Sequence, residues 1–384
     1  MKSLMLVTAD FPPFAGGGVA RYSKDIYEGL KKTNNNPVLI TCSPKKSYKF
    51  KDKNIYCLYN RFYYNKALKY IWFNIISLGL KKKVFETKKC SLIHSLSSCQ
   101  SDVGFSRLIT KNFFISILNT FSQVTKSNVG ISKKDKFFRL IFNTFMKLNE
   151  HLISKISKRV ITISEGTKNA IIKDYNISNN KIKVIPLFIN KKHFYSSQKK
   201  HHHEKDYIMT VGRLVPRKGF EYLIESFNQV SKIDNKIKLI IVGDSGDKDY
   251  ETLLVKKIEE YKLNNRVVIR KNVSDSELSE LYKYSRFFVF TSQVEGFGLV
   301  LLDSMSFGKP IIAFNIPAVK ELIKDNYNGY LVPNKNVDLL AKRILSLNKD
   351  EDNIKELGSN SLKFSERYSE KRTIKLLLRE YEKN

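Results

Sequence analysis

Short apolar runs alternate with stretches whose apolar positions recur every three or four residues along nearly the whole chain. Runs of this length, apolar at consecutive rather than alternate positions, predict strands buried on both faces. The stretches between them predict amphipathic helices lying over those faces. In the first half the strands fall at residues 4–8, 38–41, 55–58, 92–95, 113–117, 159–163 and 183–185. In the second half they fall at 207–211, 238–242, 267–270, 287–291, 310–314 and 329–331. Helices are expected at 19–32, 135–158, 220–233, 250–261, 276–284 and 299–307, with a last one near 366–383. Such alternation belongs to α/β proteins with parallel sheets and crossover helices.

Between residues 190 and 206 this pattern stops, and Lys, His, Ser and Gln displace the apolar residues. A linker there divides the 384 residues into two domains of roughly 150–200 residues, a common domain size. The expected division is 1–190 and 191–365, with residues 366–384 following the second domain. His201, His202 and His203 lie in the linker and read as solvated, because adjacent loop histidines lack the i, i+4 geometry of a helical ligand pair. Four cysteines without C-x-x-C spacing read as small, reduced residues of a cytosolic protein. The apolar start at 4–9 is too short for a signal-peptide core and runs into Asp10 and two prolines, so it reads as a buried strand. The apolar stretch 67–80 holds Lys69 and Asn74 and falls short of the roughly 20 residues that span a bilayer.

Two runs in the second half carry chemistry. Gly212-Arg-Leu-Val-Pro-Arg-Lys-Gly219 links an expected strand to an expected helix and sets Arg213 and Lys218 in a Gly-bounded loop. Arg offers a fixed donor fork and Lys a mobile point charge, which together suit a diphosphate. Arg217, between them, reads as solvated surface. The second run, Glu295-Gly-Phe-Gly-Leu-Val-Leu-Leu-Asp303, follows another strand and opens a helix. Gly298 and Leu299 stand where backbone N–H groups meet an anion, and the carboxylates of Glu295 and Asp303 are placed to hold hydroxyls. The combination describes a nucleotide-sugar site.

Both runs, in this order and spacing, resemble the retaining glycosyltransferases of family 4, which have the GT-B fold. The resemblance extends to the glycine loop Gly16-Gly-Gly18 after the first strand, to Arg159-Val-Ile-Thr-Ile-Ser164, to Lys183-Val-Ile-Pro186, to Asn272-Val-Ser-Asp-Ser-Glu-Leu278 and to Asn328-Gly-Tyr-Leu-Val-Pro333. It implies two Rossmann-like domains facing across a cleft, with the closing helix packed back on the first. It also implies transfer of a hexosyl unit from a nucleoside-diphosphate sugar to a glycan or lipid-linked glycan, with retained configuration, in envelope polysaccharide or lipopolysaccharide synthesis. Arg213, Lys218 and Glu295 take the catalytic roles. Gly17, Gly18, Arg213, Lys218, Val273, Glu295, Gly298, Leu299 and Asp303 hold the donor. No cofactor and no metal are expected: Asp247-Lys-Asp249 has the spelling of a metal-binding pair but reads as a charged surface loop.

The sequence departs from the family in places. Asp303 replaces the usual Glu and is one methylene shorter. Leu118, with Asn119 beside it, stands where many members carry a His near the reacting sugar. His94 matches a common family histidine but reads as a core residue. Leu118 and Asp303 keep open the alternative of a non-catalytic, basic, membrane-associated protein on the same fold. A nucleotide-sugar epimerase or phosphorylase is the other alternative, and it would need catalytic residues or a cofactor site of its own, neither of which the sequence shows.

Charge adds a partner. The net charge is +31, and residues 1–190 carry 33 Lys and Arg against 10 Asp and Glu, whereas residues 191–384 carry 35 against 27. Compositional drift loads both halves alike, so the basic first half points to an anionic membrane surface or a phosphate-bearing acceptor. No nucleic-acid motif is present, and nucleic acid is not expected as a partner. Residues 61–83 interleave basic and aromatic side chains. They fit either a membrane-interface segment or a helix packed on the first sheet with its cations outward; residues 133–139 form a second such stretch. The expected location is cytoplasmic, or peripheral on the inner face of the cytoplasmic membrane.

Overall fold

The computed structural model describes residues 3–97, 105–120, 133–190, 206–244 and 246–383. The linker histidines lie outside these residues, as do the side chains of 133–139. The chain divides into two compact units: Met1–Thr125, Ile131–Leu187 and Glu370–Asn384 form one, and Lys126–Gly130 with Phe188–Ser369 form the other.

The first unit holds a seven-stranded parallel sheet in the order β3-β2-β1-β4-β5-β6-β7. Its strands are β1 Ser3–Val7, β2 Val38–Ser43, β3 Ile55–Tyr59, β4 Cys90–Ser95, β5 Phe113–Ile117, β6 Arg159–Thr162 and β7 Ile182–Val184. Its helices are α1 Gly18–Lys31, α2 Lys66–Thr87, α3 Ser106–Ile109, α4 Lys133–Ile156 and α5 Glu165–Tyr175. Met5, Val7, Ile93 and Ile115 share one core with Phe73 of α2, Met146 and Ile153 of α4 and Ile171 of α5. These helices therefore cover one face of the sheet. On the other face His94 is fully buried. Its Nδ1 lies 2.6 Å from the Tyr381 hydroxyl and its Nε2 lies 2.8 Å from Ser116 Oγ, which is itself 2.8 Å from the Tyr22 hydroxyl. Burial pushes the His94 pKa down to about 3, so the ring is a neutral core element. Tyr381 belongs to the closing helix Glu370–Glu382, so this network ties that helix to β4 and β5.

The second unit holds a six-stranded parallel sheet in the order β10-β9-β8-β11-β12-β13. The strands are β8 Tyr207–Val211, β9 Lys238–Val242, β10 Val267–Arg270, β11 Phe288–Phe290, β12 Ile311–Phe314 and β13 Gly329–Val332. Its helices are α6 Phe220–Ile233, α7 Lys248–Glu260, α8 Asp275–Tyr284, α9 Leu299–Ser306, α10 Pro317–Leu322, α11 Val337–Asn348 and α12 Glu351–Ser365, and the closing helix of the first unit is α13. Side chains cap several of them: Ser274 accepts from Glu277 N at 3.2 Å, and Asn336 from Leu339 N at 2.9 Å. Replacing such a cap by Ala typically costs about 1 kcal/mol. Asp247 is another cap, its Oδ1 accepting from Tyr250 N at 3.1 Å, and Asp249 lies in the first turn of α7. The Asp247-Lys-Asp249 run is thus a helix start rather than a loop.

In each sheet the chain builds outward in one direction, returns to the middle and builds outward in the other. The strand order therefore reverses between β1 and β4 in the first sheet and between β8 and β11 in the second. At such switch points the loops leaving two adjacent parallel strands diverge, opening a crevice at their carboxyl ends.

Candidate active site

Both chemistry-bearing loops of the second unit leave the strands flanking this switch point. After β8, residues Pro216–Lys218 form one 3₁₀ turn, and Gly219 takes a left-handed φ of 64° before α6 begins. A methyl group on Gly219 would stand 2.4 Å from the carbonyl oxygen of Thr291. Glycine there lets the β8 loop press directly on the β11 loop. The two are stitched together: Thr291 Oγ1 donates to Lys218 O at 3.1 Å, and Gln293 N donates to Arg217 O at 2.8 Å.

That seam brings Lys218 and Glu295 into an ion pair, and both side chains are nearly buried. Arg217 NH1 reaches the same carboxylate oxygen, Oε1, at 3.0 Å, and Ser292 Oγ donates to it at 2.9 Å. Burial alone would raise the Glu295 pKa. The charges of Lys218 and then Arg217 outweigh it and hold the carboxyl down at about 2. Lys218 is drawn below its ordinary value by burial, against the pull of Glu295. Its ammonium also lies 5.5 Å from the Phe290 ring centroid. Arg217 is therefore not solvated surface. It is half-buried, and a second hydrogen bond to Val294 O at 3.2 Å fixes it against the β11 loop. Sequence reasoning missed Arg217 and Ser292; the signal available was a second cation adjoining Lys218 in a turn too short to project it elsewhere. Arg213 is exposed in the same loop, near enough for its charge to oppose protonation of Lys218.

Glu295 does not cap α9. Gly298 takes that place with φ 98°, and Leu299 heads the helix. Leu301 N and Leu302 N donate to Gly298 O at 2.9 and 3.3 Å, and the Leu299 and Val300 amides precede the first bond of the helix. Asp303, about one turn on, is buried at 3% exposure rather than solvated. The loops after β9 and β10 join the same sheet end: Leu214 N donates to Asp244 O at 3.0 Å and Asn272 N to Asp244 Oδ1 at 2.8 Å. Val273 is half-buried beside Asn272.

In the first unit, Gly17 caps α1 with φ 84°, and Gly18 is the first helical residue. A methyl group at Gly16 or Gly17 would meet nothing within 4 Å, so no packing inside the fold demands bare backbone there. At the end of β5, Leu118 and Asn119 are half-buried, and the Asn119 Oδ1 is buried with no hydrogen-bond partner among the described residues.

Comparison with known proteins decides the family. Residues 16–193 match the model of Glycosyltransferase Family 4, and residues 191–364 match that of Glycosyl transferases group 1. The chain belongs to the glycosyl transferases group 1 family, with the GT-B fold. Among relatives of this group 1 chain, an uncharacterised glycosyltransferase of Methanocaldococcus jannaschii is 32% identical over 231 residues, 59% of this chain and 60% of the relative. The O-antigen chain mannosyltransferase RfbU of Salmonella typhimurium is 30% identical over 245 residues, 59% of this chain and 65% of the relative. In both, the match spans less than two thirds of the relative's length. The Anabaena Alr3699/HepE protein, solved in complex with UDP, superposes with a TM-score of 0.76 at 18% identity over 100% of both chains, which supports the fold.

Proposed function

We propose that this chain transfers a hexosyl unit from a nucleoside-diphosphate sugar to a hydroxyl of a glycan or lipid-linked glycan, with retention of configuration. The observation that carries the proposal is the cluster of Lys218, Arg217 and Glu295 at the β8–β11 switch point, with Arg213 exposed beside it. Arg213 and Lys218 take the diphosphate oxygens and steady the charge that grows on the leaving nucleoside diphosphate. Glu295, ionised across the physiological range, accepts from a sugar hydroxyl. Its bonds to Lys218, Arg217 and Ser292 all fall on Oε1. Gly298 and Leu299 offer the backbone start of α9 to the donor, and Asp303 and Val273 hold the nucleoside side. The sugar stays on the face it left because the departing diphosphate assists deprotonation of the incoming hydroxyl on that same face. No protein nucleophile is assigned, and the reading calls for no metal.

The UDP bound by Alr3699/HepE and the O-antigen role of RfbU support a nucleotide-sugar donor and a polysaccharide acceptor here. A lipid-linked acceptor keeps such an enzyme at the inner face of a membrane. The test is a thermal-shift panel of UDP, GDP and ADP and their common sugar conjugates, followed by nuclear magnetic resonance of the product anomer. Stabilisation by one diphosphate family together with a retained anomer supports the proposal. An inverted anomer refutes retention, and no donor turnover with any conjugate favours the non-catalytic alternative.

A further inference from the structure

The helix α2 is built inside out. Its buried side carries Lys69, Asn74, Ser77 and Lys81 beside Phe73 and Val84. The Lys69 charge is met internally, with Nζ 2.7 Å from Asp10 Oδ1 and 3.8 Å from the Tyr63 ring centroid. The outward side instead presents Leu68, Ile71 and Ile75, the last 55% exposed. At 100° per residue these three fall within one narrow stripe opposite the sheet. The helix α4 repeats the arrangement. Met146 and Ile153 enter the core, and Phe145, Leu148, Leu152 and Ile156 form an exposed stripe at spacings of three, four and four residues, Leu148 being 56% exposed. Both helices pack on the same face of the first sheet, since Phe73 and Met146 belong to one core. Two apolar stripes on one face of one unit exceed the scattered apolar exposure of ordinary surfaces.

We infer that this α2–α4 face docks on an anionic lipid bilayer surface, with the stripes entering the boundary between headgroups and acyl chains. Charge selects this occupant. Lys82 and Lys83 follow the apolar stripe on the exposed side of α2, Lys147 and Lys155 are exposed on α4, and residues 1–190 carry a net charge of +23. Such a surface repels a second copy of itself and attracts phospholipid anions. Among the described residues no helix is long and apolar enough to cross a membrane, so the contact is one of lying on the surface. This inference does not rest on the transfer reaction, and its test reads lipid rather than turnover.

Trp72, the only tryptophan in the sequence, lies in α2 between Ile71 and Phe73 and reports the contact directly. The full chain is mixed with phosphatidylcholine vesicles, with or without phosphatidylglycerol. Binding is followed by flotation, and depth by Trp72 emission and its quenching by bromine-labelled acyl chains. The expected result is binding to the anionic vesicles, a blue shift and quenching. The I75S/L148S/L152S variant, altered only at exposed positions, should keep its circular dichroism and lose vesicle affinity about tenfold or more. Absence of quenching in the bound protein, or equal affinity of the variant, would overturn the inference. So would a dimer in sedimentation velocity that the same substitutions dissolve, because the face would then belong to a second copy.

Discussion

The pairing of Lys218 with Glu295 confounds a simple reading of either residue by substitution, and a double-mutant cycle separates the roles. Lys218→Met removes the largest favourable charge on a nearly buried carboxylate, leaving it Arg217 at 3.0 Å and Ser292 at 2.9 Å. The environment holds Glu295 at about 2 against an ordinary 4.5, equivalent to about 3 kcal/mol at 1.36 kcal/mol per pH unit. As Lys218 is the leading favourable cause, its loss should cost roughly 1.5–3 kcal/mol of stability. Glu295→Gln strands Lys218, already drawn down by burial, at a similar cost. The double variant should be more stable than the sum of the two penalties predicts, by about 1–2 kcal/mol. Urea unfolding followed by circular dichroism reads this, since Trp72 lies in the other unit. Calorimetry with the diphosphate that gives the largest thermal shift reads binding. Lys218→Met should weaken that binding, and the double variant should recover stability without recovering affinity. Recovery of affinity in the double variant would mean that Lys218 serves only to neutralise Glu295, and its phosphate role would fall. Strict additivity in stability would refute the coupling itself.

Three further outcomes follow from named contacts. Arg217→Ala removes two hydrogen bonds that hold the Glu295 loop; it should lower transfer more than diphosphate affinity, with Arg217→Lys restoring part of the rate, and an equal loss of both would move Arg217 into the phosphate site. Asp303→Asn keeps volume and removes charge, and should weaken binding of a ribonucleotide donor by about 1–3 kcal/mol while leaving a dideoxyribose analogue unaffected; the same loss with both would make Asp303 a packing residue. His94 stays neutral when folded, at about 3 against an ordinary 6.5, so the unfolded chain binds its proton first as pH falls. The stability it contributes is complete above pH 6.5 and lost on descent toward pH 3, at up to about 1.4 kcal/mol per pH unit; His94→Gln should flatten that part of the profile, and an unchanged slope would refute it.

Much of the fold was legible because parallel strands buried on both faces leave unbroken apolar runs, and each of the thirteen strands described overlaps a run expected from the sequence. The helices of the last hundred residues were less so. α11 and α12 lie beyond the nucleotide-sugar motifs, although Asn336 and Asp350 mark their starts as caps. At the site, the motif pattern located Lys218 and Glu295 but not their union. That depends on β8 and β11 being neighbours, a fact of sheet order rather than of spacing along the chain. Arg217 was misread for the same reason, since its partner Glu295 is distant in sequence. The outward stripe of α2 was hidden by its own composition. Lysine normally marks the solvent side of a helix, and here Lys69 and Lys81 face inward.

The charges at the switch point bear on the departing group as well as on the donor. Arg213, Arg217 and Lys218 together exceed Glu295 by two positive charges, and a nucleoside-diphosphate sugar carries one negative charge on each of its two phosphates. The match does not require Lys218 to abandon Glu295, because an ammonium has three donors and one suffices for the carboxylate. Under the proposed reaction, a further negative charge develops on the diphosphate as the glycosidic bond breaks. A cluster balanced for the intact donor is then short of positive charge for the product, and the Leu299 and Val300 amides at the start of α9, after Gly298, are placed to take it. Binding the departing diphosphate more firmly than the donor is what accelerates the chemical step. Substitution at Gly298 should therefore separate the two. Gly298→Ala forces a side chain onto φ 98° and places its methyl 2.9 Å from Leu301 Cδ1, which displaces the helix start while leaving all three cations in place. The expected result is donor affinity within a few-fold of the parent and a rate reduced by about a hundredfold, the scale of losing one preorganised donor. Equal losses in affinity and rate would mean that α9 serves the ground state as much as the departing group, and the division of labour argued here would fail.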